Sequence, residues 1–316
     1  MARRALGSAT LAVVGAVERA HGGENVLVGC SGGADSLALA HGVRLAARRL
    51  GFGARAVVID HGLQDGSATH AEAVAAGLRD AGLPADVVAV QVVPDGSGPE
   101  AAARTARYRG LGDARRPGEV CYLGHTGDDQ AETVLLGLAR GSGLRSLAGM
   151  PARRDGFTRP LLGLPRTTTR ECCRELGLDW WEDPHNSEQR FTRVRVRDAV
   201  LPVLERELGP GVADALVRTA ALAREDADAL DDLAAAVEAP VRLPCADIAA
   251  LPAAVRQRVL RRWLLARGAV DVDRAHTLAV AALVTDWHGQ RWVEVPGLRV
   301  VRADGVLVAL PPVGDG

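Results

Sequence analysis

The chain has 316 residues, 47% hydrophobic and 24% charged, with a formal net charge of −1. That balance fits a globular protein with one large and one smaller domain, and it excludes a polycation, so any nucleic-acid contact must come from a local basic patch. All 38 residues counted as Lys plus Arg are arginine, which excludes a Walker-type loop, with its lysine on the phosphates, and enzymes that carry AMP on a lysine.

In chain order, residues 1–20 form a first helix, with Leu6, Val13, Val14 and Val17 at amphipathic spacing and Glu18 and Arg19 interrupting what could pass for a leader. Strands are predicted at Asn25–Gly29, Ala54–Ile59, Ala85–Val93 and Val120–Gly124, and helices at Ser36–Leu50, Thr69–Ala81, Glu100–Asp113 and Asp129–Arg140. Such alternation means an α/β, doubly wound parallel sheet, which binds ligands beyond the carboxyl ends of its strands. Three polar clusters sit at those ends: Ser31–Ser36, Asp60–Leu63 and His125–Glu132. Topology alone gathers them into one crevice.

After Met150 the pattern changes. Arg159–Leu162 leads to a helix near Thr168–Leu176, then the turn-rich Asp183–Ser187 and the arginine-rich Arg190–Arg197. Gly209-Pro210-Gly211 is the linker candidate. A long helix over Val212–Val237 follows, then helices at Pro252–Arg267 and Arg274–Thr285 and strands at Trp292–Val295, Leu298–Val301 and Val306–Ala309. The predicted division is a catalytic domain over 1–211 and a helical linker with a small α+β domain over 212–316. No run of about 18 apolar residues occurs, so no membrane span is expected. The five cysteines include adjacent Cys172 and Cys173 but no C-x-x-C pair, which points to a reduced, cytoplasmic compartment. Cys30 reads as a small buried residue.

The segment Ser31-Gly32-Gly33-Ala34-Asp35-Ser36 follows a strand and opens a helix. Its glycines allow close approach of backbone to a phosphate, and the helix-start amides attract anions. Asp35 would repel a phosphate, so a bridging Mg²⁺ is implied. A plain strand–helix turn with a polar cap explains a lone Gly-Gly as well. In His125-Thr126-Gly127-Asp128-Asp129-Gln130-Ala131-Glu132-Thr133, Asp129 and Glu132 are spaced to share one helix face, where two carboxylates can pair with an ammonium or merely complement the helix dipole. Arg104 and Arg107 share another face and can offset charge on a pyrophosphate, or be solvated. Arg190, Arg193 and Arg197 line up on one face if the segment is helical and could bind RNA phosphates; as a strand it would align Arg193, Arg195 and Arg197 instead.

The SGGADS segment resembles the pyrophosphatase loop of the N-type ATP pyrophosphatases, which implies an adenine nucleotide alpha hydrolase-like fold and cleavage of ATP between its α and β phosphates. The second cluster, continuing to Arg140-Gly141-Ser142-Gly143 and Gly149-Met150, is similar to the HHxDDQxET…RGSG…GM signature of the tRNA(Ile)-lysidine synthetases. Glu100…Arg104…Arg107-Tyr108, Asp60-His61-Gly62-Leu63, Arg159-Pro160-Leu161-Leu162 and Glu182-Asp183-Pro184…Asn186 match that family's order. The likeness is strong over Asn25–Leu208 and looser in Gly289–Leu298 and Val300–Leu310, and fits a short form of the family. The chain departs from the pattern at Thr126, where a second histidine is common, and at Gln64, where a basic residue often follows.

The resemblance implies ATP as co-substrate with Mg²⁺, held by Ser31, Gly32, Gly33, Ala34, Asp35 and Ser36 with Asp60 and His61 on the nucleotide rim. It places His125, Arg104 and Arg107 at the phosphates, Asp129 and Glu132 on the lysine, and Arg190, Arg193 and Arg197 on tRNA. The implied reaction adenylates the wobble cytidine (position 34) of tRNA(Ile) with a CAU anticodon, then couples free L-lysine to C2, giving lysidine, AMP and pyrophosphate. The alternative is tRNA cytidine 2-thiolation by the same superfamily, whose sulfur-handling C-x-x-C pairs are missing. A homodimer is left open.

Overall fold

In the computed structural model, which describes residues 5–62, 66–93, 96, 98–182 and 188–312, the apolar runs of the first half become strands. Helix α1 (Ser8–Ala20) leads to β1 (Asn25–Cys30), α2 (Ala34–Leu50), β2 (Ala54–Asp60), α3 (Ser67–Asp80), β3 (Ala85–Ala89), α4 (Pro99–Ala114), β4 (Glu119–Leu123) and α5 (Gly127–Ala139). There follow α6 (Leu144–Leu147), the short strands β5 (Arg153–Arg154) and β6 (Phe157–Thr158), α7 (Arg166–Leu176), α8 (Thr192–Arg195), a π-turn over Val196–Val200, and α9 (Leu201–Leu208). The sheet order is β3-β2-β1-β4-β6-β5, parallel except for the β5–β6 hairpin. The expected doubly wound α/β sheet is therefore present.

Strand β3 stops at Ala89 rather than Val93. Its partner β2 ends at Asp60, whose carbonyl accepts the Val90 amide at 2.8 Å, and beyond that no partner strand continues. The hairpin β5–β6 was not expected, because two-residue strands carry no periodic signal.

Side chains alternate across the sheet. Val26, Val28, Ala56, Val58 and Tyr122 pack on one face with α1, α2 and α7, while Leu27, Val57, Ile59, Cys121 and Leu123 pack on the other with Leu111 of α4. Helix α7 is fastened to α1 by Glu175, which accepts the backbone amides of Ala9 and Thr10 at 3.1 and 2.8 Å and so caps a helix start that lacks a cap of its own. At the opposite edge of the strands, Arg55 on β2 reaches across β1 to Glu119 on β4, with Nε–Oε1 at 2.9 Å and Nη2–Oε2 at 2.8 Å. Both side chains are nearly buried, 10% and 8% exposed. The hydrogen bonds from Arg55 hold the Glu119 carboxyl below its usual range.

The chain divides into two compact units, Met1–Ala223 and Arg224–Gly316, and the division falls within α10 (Val212–Ala235) rather than at the Gly209–Gly211 linker. The second unit holds β7 (Arg242–Pro244), α11 (Cys245–Ala249), α12 (Ala253–Ala266), α13 (Arg274–Thr285), β8 (Val293–Val295), β9 (Leu298–Ala303) and β10 (Val306–Leu310). Its antiparallel sheet, ordered β7-β10-β9-β8, packs Leu243, Val300 and Leu307 against Leu260, Leu264 and Leu283. Trp263 lies fully buried there, its indole N–H donating to the Pro240 carbonyl at 2.8 Å. Among the described residues, no helix is long and apolar enough to cross a membrane.

The exit of β4 touches the start of α2. A Cβ on Gly124 would stand 2.9 Å from the Asp35 carbonyl oxygen and 3.0 Å from the Ser36 nitrogen, both backbone atoms. Gly124→Ala must push these two segments apart and is expected to cost about 1–3 kcal/mol, read as a lowered urea midpoint at unchanged slope. Glu119→Gln leaves Arg55 without its buried partner and is expected to cost about 3 kcal/mol at neutral pH. Because the folded Glu119 carboxyl is lowered, its contribution is complete above the unfolded carboxyl value of about 4.3 and disappears as pH falls below it. The stability gap between wild type and Glu119→Gln should therefore close in acid, as measured by urea titrations at several pH values.

Candidate active site

Strand β1 lies between β2 and β4, so the chain's direction of winding reverses there and a crevice opens beyond the β1 and β4 ends. Gly29 pairs with Leu123, which brings the loop Ser31–Gly33 beside Gly124–Thr126. Gly32 has φ +82°, and a Cβ on it would lie 2.6 Å from Val74 Cγ2 and 2.9 Å from His70 Nε2. Only glycine fits that conformation and that space. The Ser36 hydroxyl accepts the Ser31 amide at 3.1 Å and donates to the Gly33 carbonyl at 2.9 Å, so it shapes the loop. Gly33 forms the N-cap of α2 without a side-chain bond, which leaves the first-turn amides from Ala34 onward available to an anion. Cys30 is buried beneath the loop, and burial raises its thiol above the ordinary range.

Three carboxylates and two guanidiniums meet beside this loop. Asp35 accepts the Thr169 hydroxyl and lies 3.4 Å from Arg166 Nε. Asp129 caps its own helix, its Oδ2 taking the Thr126 amide at 2.8 Å and the Thr126 hydroxyl at 3.0 Å. Its Oδ1 receives Arg166 Nη2 at 2.9 Å. Glu132, one turn on, has no exposed side-chain surface and is gripped by Arg197, with Nε–Oε1 at 2.7 Å and Nη2–Oε2 at 3.3 Å. Burial raises the carboxyls of Asp35 and Glu132 above their usual range. Burial acts on Asp129 in the same sense, but Arg166 and the Thr126 amide outweigh it and keep that group ionised. Arg166 is the residue that the sequence reading missed. It opens α7, two residues ahead of the predicted helix start, and its amide is fixed by Asp128 Oδ2 at 2.7 Å. An arginine directly after Pro165 was the available signal, and it is a weak one.

His125 leads out of β4 half-buried, with its Nδ1 buried and unbonded among the described residues. Burial, reinforced by Arg107, Arg159 and Arg104 against the pull of Asp129, holds the imidazole well below its ordinary value, so it is neutral at neutral pH. These arginines gather on Tyr108. Arg104, exposed, lies 4.9 Å from the ring centroid, Arg107 lies 5.9 Å from it, and Arg159 donates to the phenol oxygen at 3.3 Å. The crevice thus carries a cationic wall and an acidic floor.

The remaining expected residues make contacts of their own. Asp60 turns back on its own loop, taking the Gly62 amide at 2.9 Å, which lowers its carboxyl. His61 follows it, whereas Leu63 and Gln64 lie outside the described residues, as do Asp183, Pro184 and Asn186. Of the three basic residues expected on one helical face, Arg190 precedes α8, pairs with Glu188 and lies over the Phe191 ring at 4.7 Å. Arg193 and Arg197 face α5, on the Thr133 hydroxyl at 3.3 Å and on Glu132 respectively. Arg197 therefore sits in the acidic cluster.

The chain matches the family model described as a PP-loop domain over residues 10–204 and that described as a TilS substrate binding domain over 243–308. It is 51% identical over 300 residues to the tRNA(Ile)-lysidine synthase of Leifsonia xyli, covering 92% of this chain and 90% of that one. It is 52% identical over 302 residues to the enzyme of the same name from Salinispora tropica, covering 91% of each. Among solved structures, the U34-tRNA thiolase NcsA of Methanococcus maripaludis with its [4Fe-4S] cluster superposes with a TM-score of 0.57 at 19% identity, over 67% of this chain and 78% of that one. That likeness extends to the fold alone. With half of its residues shared over nine-tenths of its length, the chain belongs to the tRNA(Ile)-lysidine synthase family.

Proposed function

We propose that this chain is an ATP-dependent ligase that joins lysine to C2 of the wobble cytidine of tRNA(Ile) with a CAU anticodon, through an adenylated cytidine. The observation that carries the reading is the single guanidinium of Arg166 set between Asp35 of the phosphate-type loop and Asp129 of the acidic turn, 3.4 and 2.9 Å away. On this reading the nucleotide lies at the Asp35 loop and the amine at Asp129, on either side of that guanidinium. The first unit carries the chemistry, and the second contacts tRNA.

In the first step cytidine O2 attacks the α-phosphate of ATP and pyrophosphate leaves. The α2 amides and the Gly32 turn cradle the phosphates, and Arg104 and Arg107 offset charge on the leaving group. Neutral His125 can donate an N–H to the same oxygens. Among the described residues no three His, Cys, Asp or Glu side chains are grouped so as to hold a metal ion by themselves. A lone loop carboxylate, Asp35, beside bound phosphates nevertheless suits Mg²⁺, which takes one or two carboxylates plus phosphate oxygens and supplies charge neutralisation when bound. In the second step the ε-amine of lysine attacks C2, AMP leaves from O2, and the amine's proton passes to a carboxylate of the cluster. Asp129, which Arg166 and the Thr126 amide keep ionised, is the partner for the lysine ammonium and the acceptor of its proton, while Glu132 is closed by Arg197. The anticodon base is already unpaired, so presenting it costs little. Thiolation is disfavoured because all five cysteines are buried and burial raises their thiols.

In the second unit Trp287 and Trp292, 45% and 43% exposed, each carry an arginine on the ring, Arg302 at 4.9 Å and Arg299 at 4.4 Å. Exposed indole with guanidinium is suited to stacking on unpaired bases and to phosphate contact. We place the enzyme in the cytoplasm, with its tRNA substrate.

Nucleosides from tRNA(Ile) transcript treated with enzyme, ATP and lysine should contain lysidine by mass spectrometry; unmodified cytidine alongside tRNA-dependent pyrophosphate release would overturn the ligase reading. Asp35→Ala should reduce tRNA-dependent ATP–pyrophosphate exchange by about 1,000-fold, whereas Glu132→Ala should spare exchange more than lysine transfer. Trp292→Ala should raise KM for tRNA by about 10-fold with little change in KM for ATP, measured by initial rates of pyrophosphate release.

A further inference from the structure

Beyond the end of α7 the chain returns to the phosphate-type loop. The Trp181 amide donates to the Gly32 carbonyl at 3.1 Å, and the Trp181 carbonyl oxygen would lie 3.8 Å from a Cβ on Gly33. The two tryptophans of this segment face different surroundings. Trp180 packs partly buried against the core shared by α1, α2 and α7. Trp181 is 36% exposed and lies on His70 of α3, with ring centroids 4.3 Å apart and planes at 43°. His70 in turn closes on the glycine turn. A Cβ on Gly32 would stand 2.9 Å from its Nε2, which is buried and has no hydrogen-bond partner among the described residues. The indole is therefore tied to the turn twice, through its own backbone and through the imidazole beside it. A ring so fixed loses little freedom when it meets a flat ligand.

A nucleobase is such a ligand. Every base has a π-face, and indole is a broad amphipathic platform for it. Other rings of the first unit are already engaged: Tyr108 and Phe157 pack on each other, Phe52 on His21, and Phe191 under Arg190. Cytidine O2 must come within about 3.5 Å of the phosphorus it attacks, and the loop amides hold that phosphate. The attacking base has therefore to lie at the lip of the Gly32 turn, where Trp181 stands. It is delivered on RNA from solvent, which suits a ring that is partly exposed. We propose that Trp181, backed by His70, stacks on the wobble cytosine and holds it over the phosphate-type loop. The proposal rests on the lysine-ligase reading and adds to it the surface that receives the base. Stacking fixes the plane of a ring without reading its edges, so Trp181 positions the cytosine and other groups identify it. Adenine has a π-face too, and the experiment separates the two bases.

A tRNA(Ile) transcript with the fluorescent analogue pyrrolocytosine at the wobble position reports stacking directly. Wild type should quench the analogue on binding, and Trp181→Phe, which keeps a ring, should quench it as well. Trp181→Ala should bind the transcript without quenching, and so should Trp181→Leu, which fills the space without a π-face. His70→Ala, which loosens the ring, should quench weakly. In tRNA-dependent pyrophosphate release, Trp181→Ala should lower kcat/KM for tRNA by about 10-fold to 100-fold, the scale of one base–aromatic stack, and Trp181→Phe by less than about 3-fold. The Kd for ATP, measured without tRNA by equilibrium dialysis, should be the same in all these proteins. Quenching that survives Trp181→Ala and Trp181→Leu overturns the proposal, as does a wild type that leaves the analogue bright. Weaker ATP binding by Trp181→Ala in the absence of tRNA also overturns it, by placing adenine on the ring. A wild type that quenches the analogue and releases pyrophosphate with tRNA, yet forms no lysidine, overturns the ligase reading instead.

Discussion

Three carboxylates cannot share a partly buried crevice unless cations hold them there, and in this fold the cation at the centre is Arg166. Its guanidinium reaches Asp35 on one side and Asp129 on the other, while its backbone amide is tied to Asp128. Removing water strengthens such attractions, but it also makes any unpartnered charge expensive. The nucleotide loop, the first turn of α5 and the first turn of α7 therefore constrain one another. The bond of Glu175 to the α1 amides anchors the far end of α7, so the position of Arg166 depends on contacts on both ends of its helix.

Much of this was readable beforehand. Strand–helix alternation gave the sheet, and the placement of polar clusters at strand ends put Asp35, His125, Asp129 and Glu132 together before any coordinates. The close approach of Gly124 to the α2 backbone is the physical form of that inference. What was not readable depends on side chains meeting across long sequence separations. Arg166 follows a proline in an unremarkable turn, and nothing local marks it as the partner of a residue 131 positions earlier. Arg197 looked like one member of a basic stripe, because periodicity places residues on a face but does not say what that face meets. The π-turn after α8 and the early position of Arg190 break the stripe, and such irregularities follow from packing rather than from propensity. Strands β5 and β6 were too short to carry a pattern.

The fold is shared with a U34-tRNA thiolase, and a shared fold does not fix the chemistry. Function is set by the residues that the strand ends present, above all those after β4. Here those residues are Asp128, Asp129 and Glu132 at the start of α5, where the helix dipole favours negative charge.

Guanidinium is the only side-chain cation in the crevice, since the chain contains no lysine at all. A base carrying AMP is an electrophile that any nearby primary amine could consume. Arginine stays protonated and non-nucleophilic at every physiological pH, so the walls of this pocket can stabilise an activated intermediate without intercepting it. On the ligase reading proposed above, the amine that ends the reaction is supplied by the substrate and by no lysine side chain of this chain.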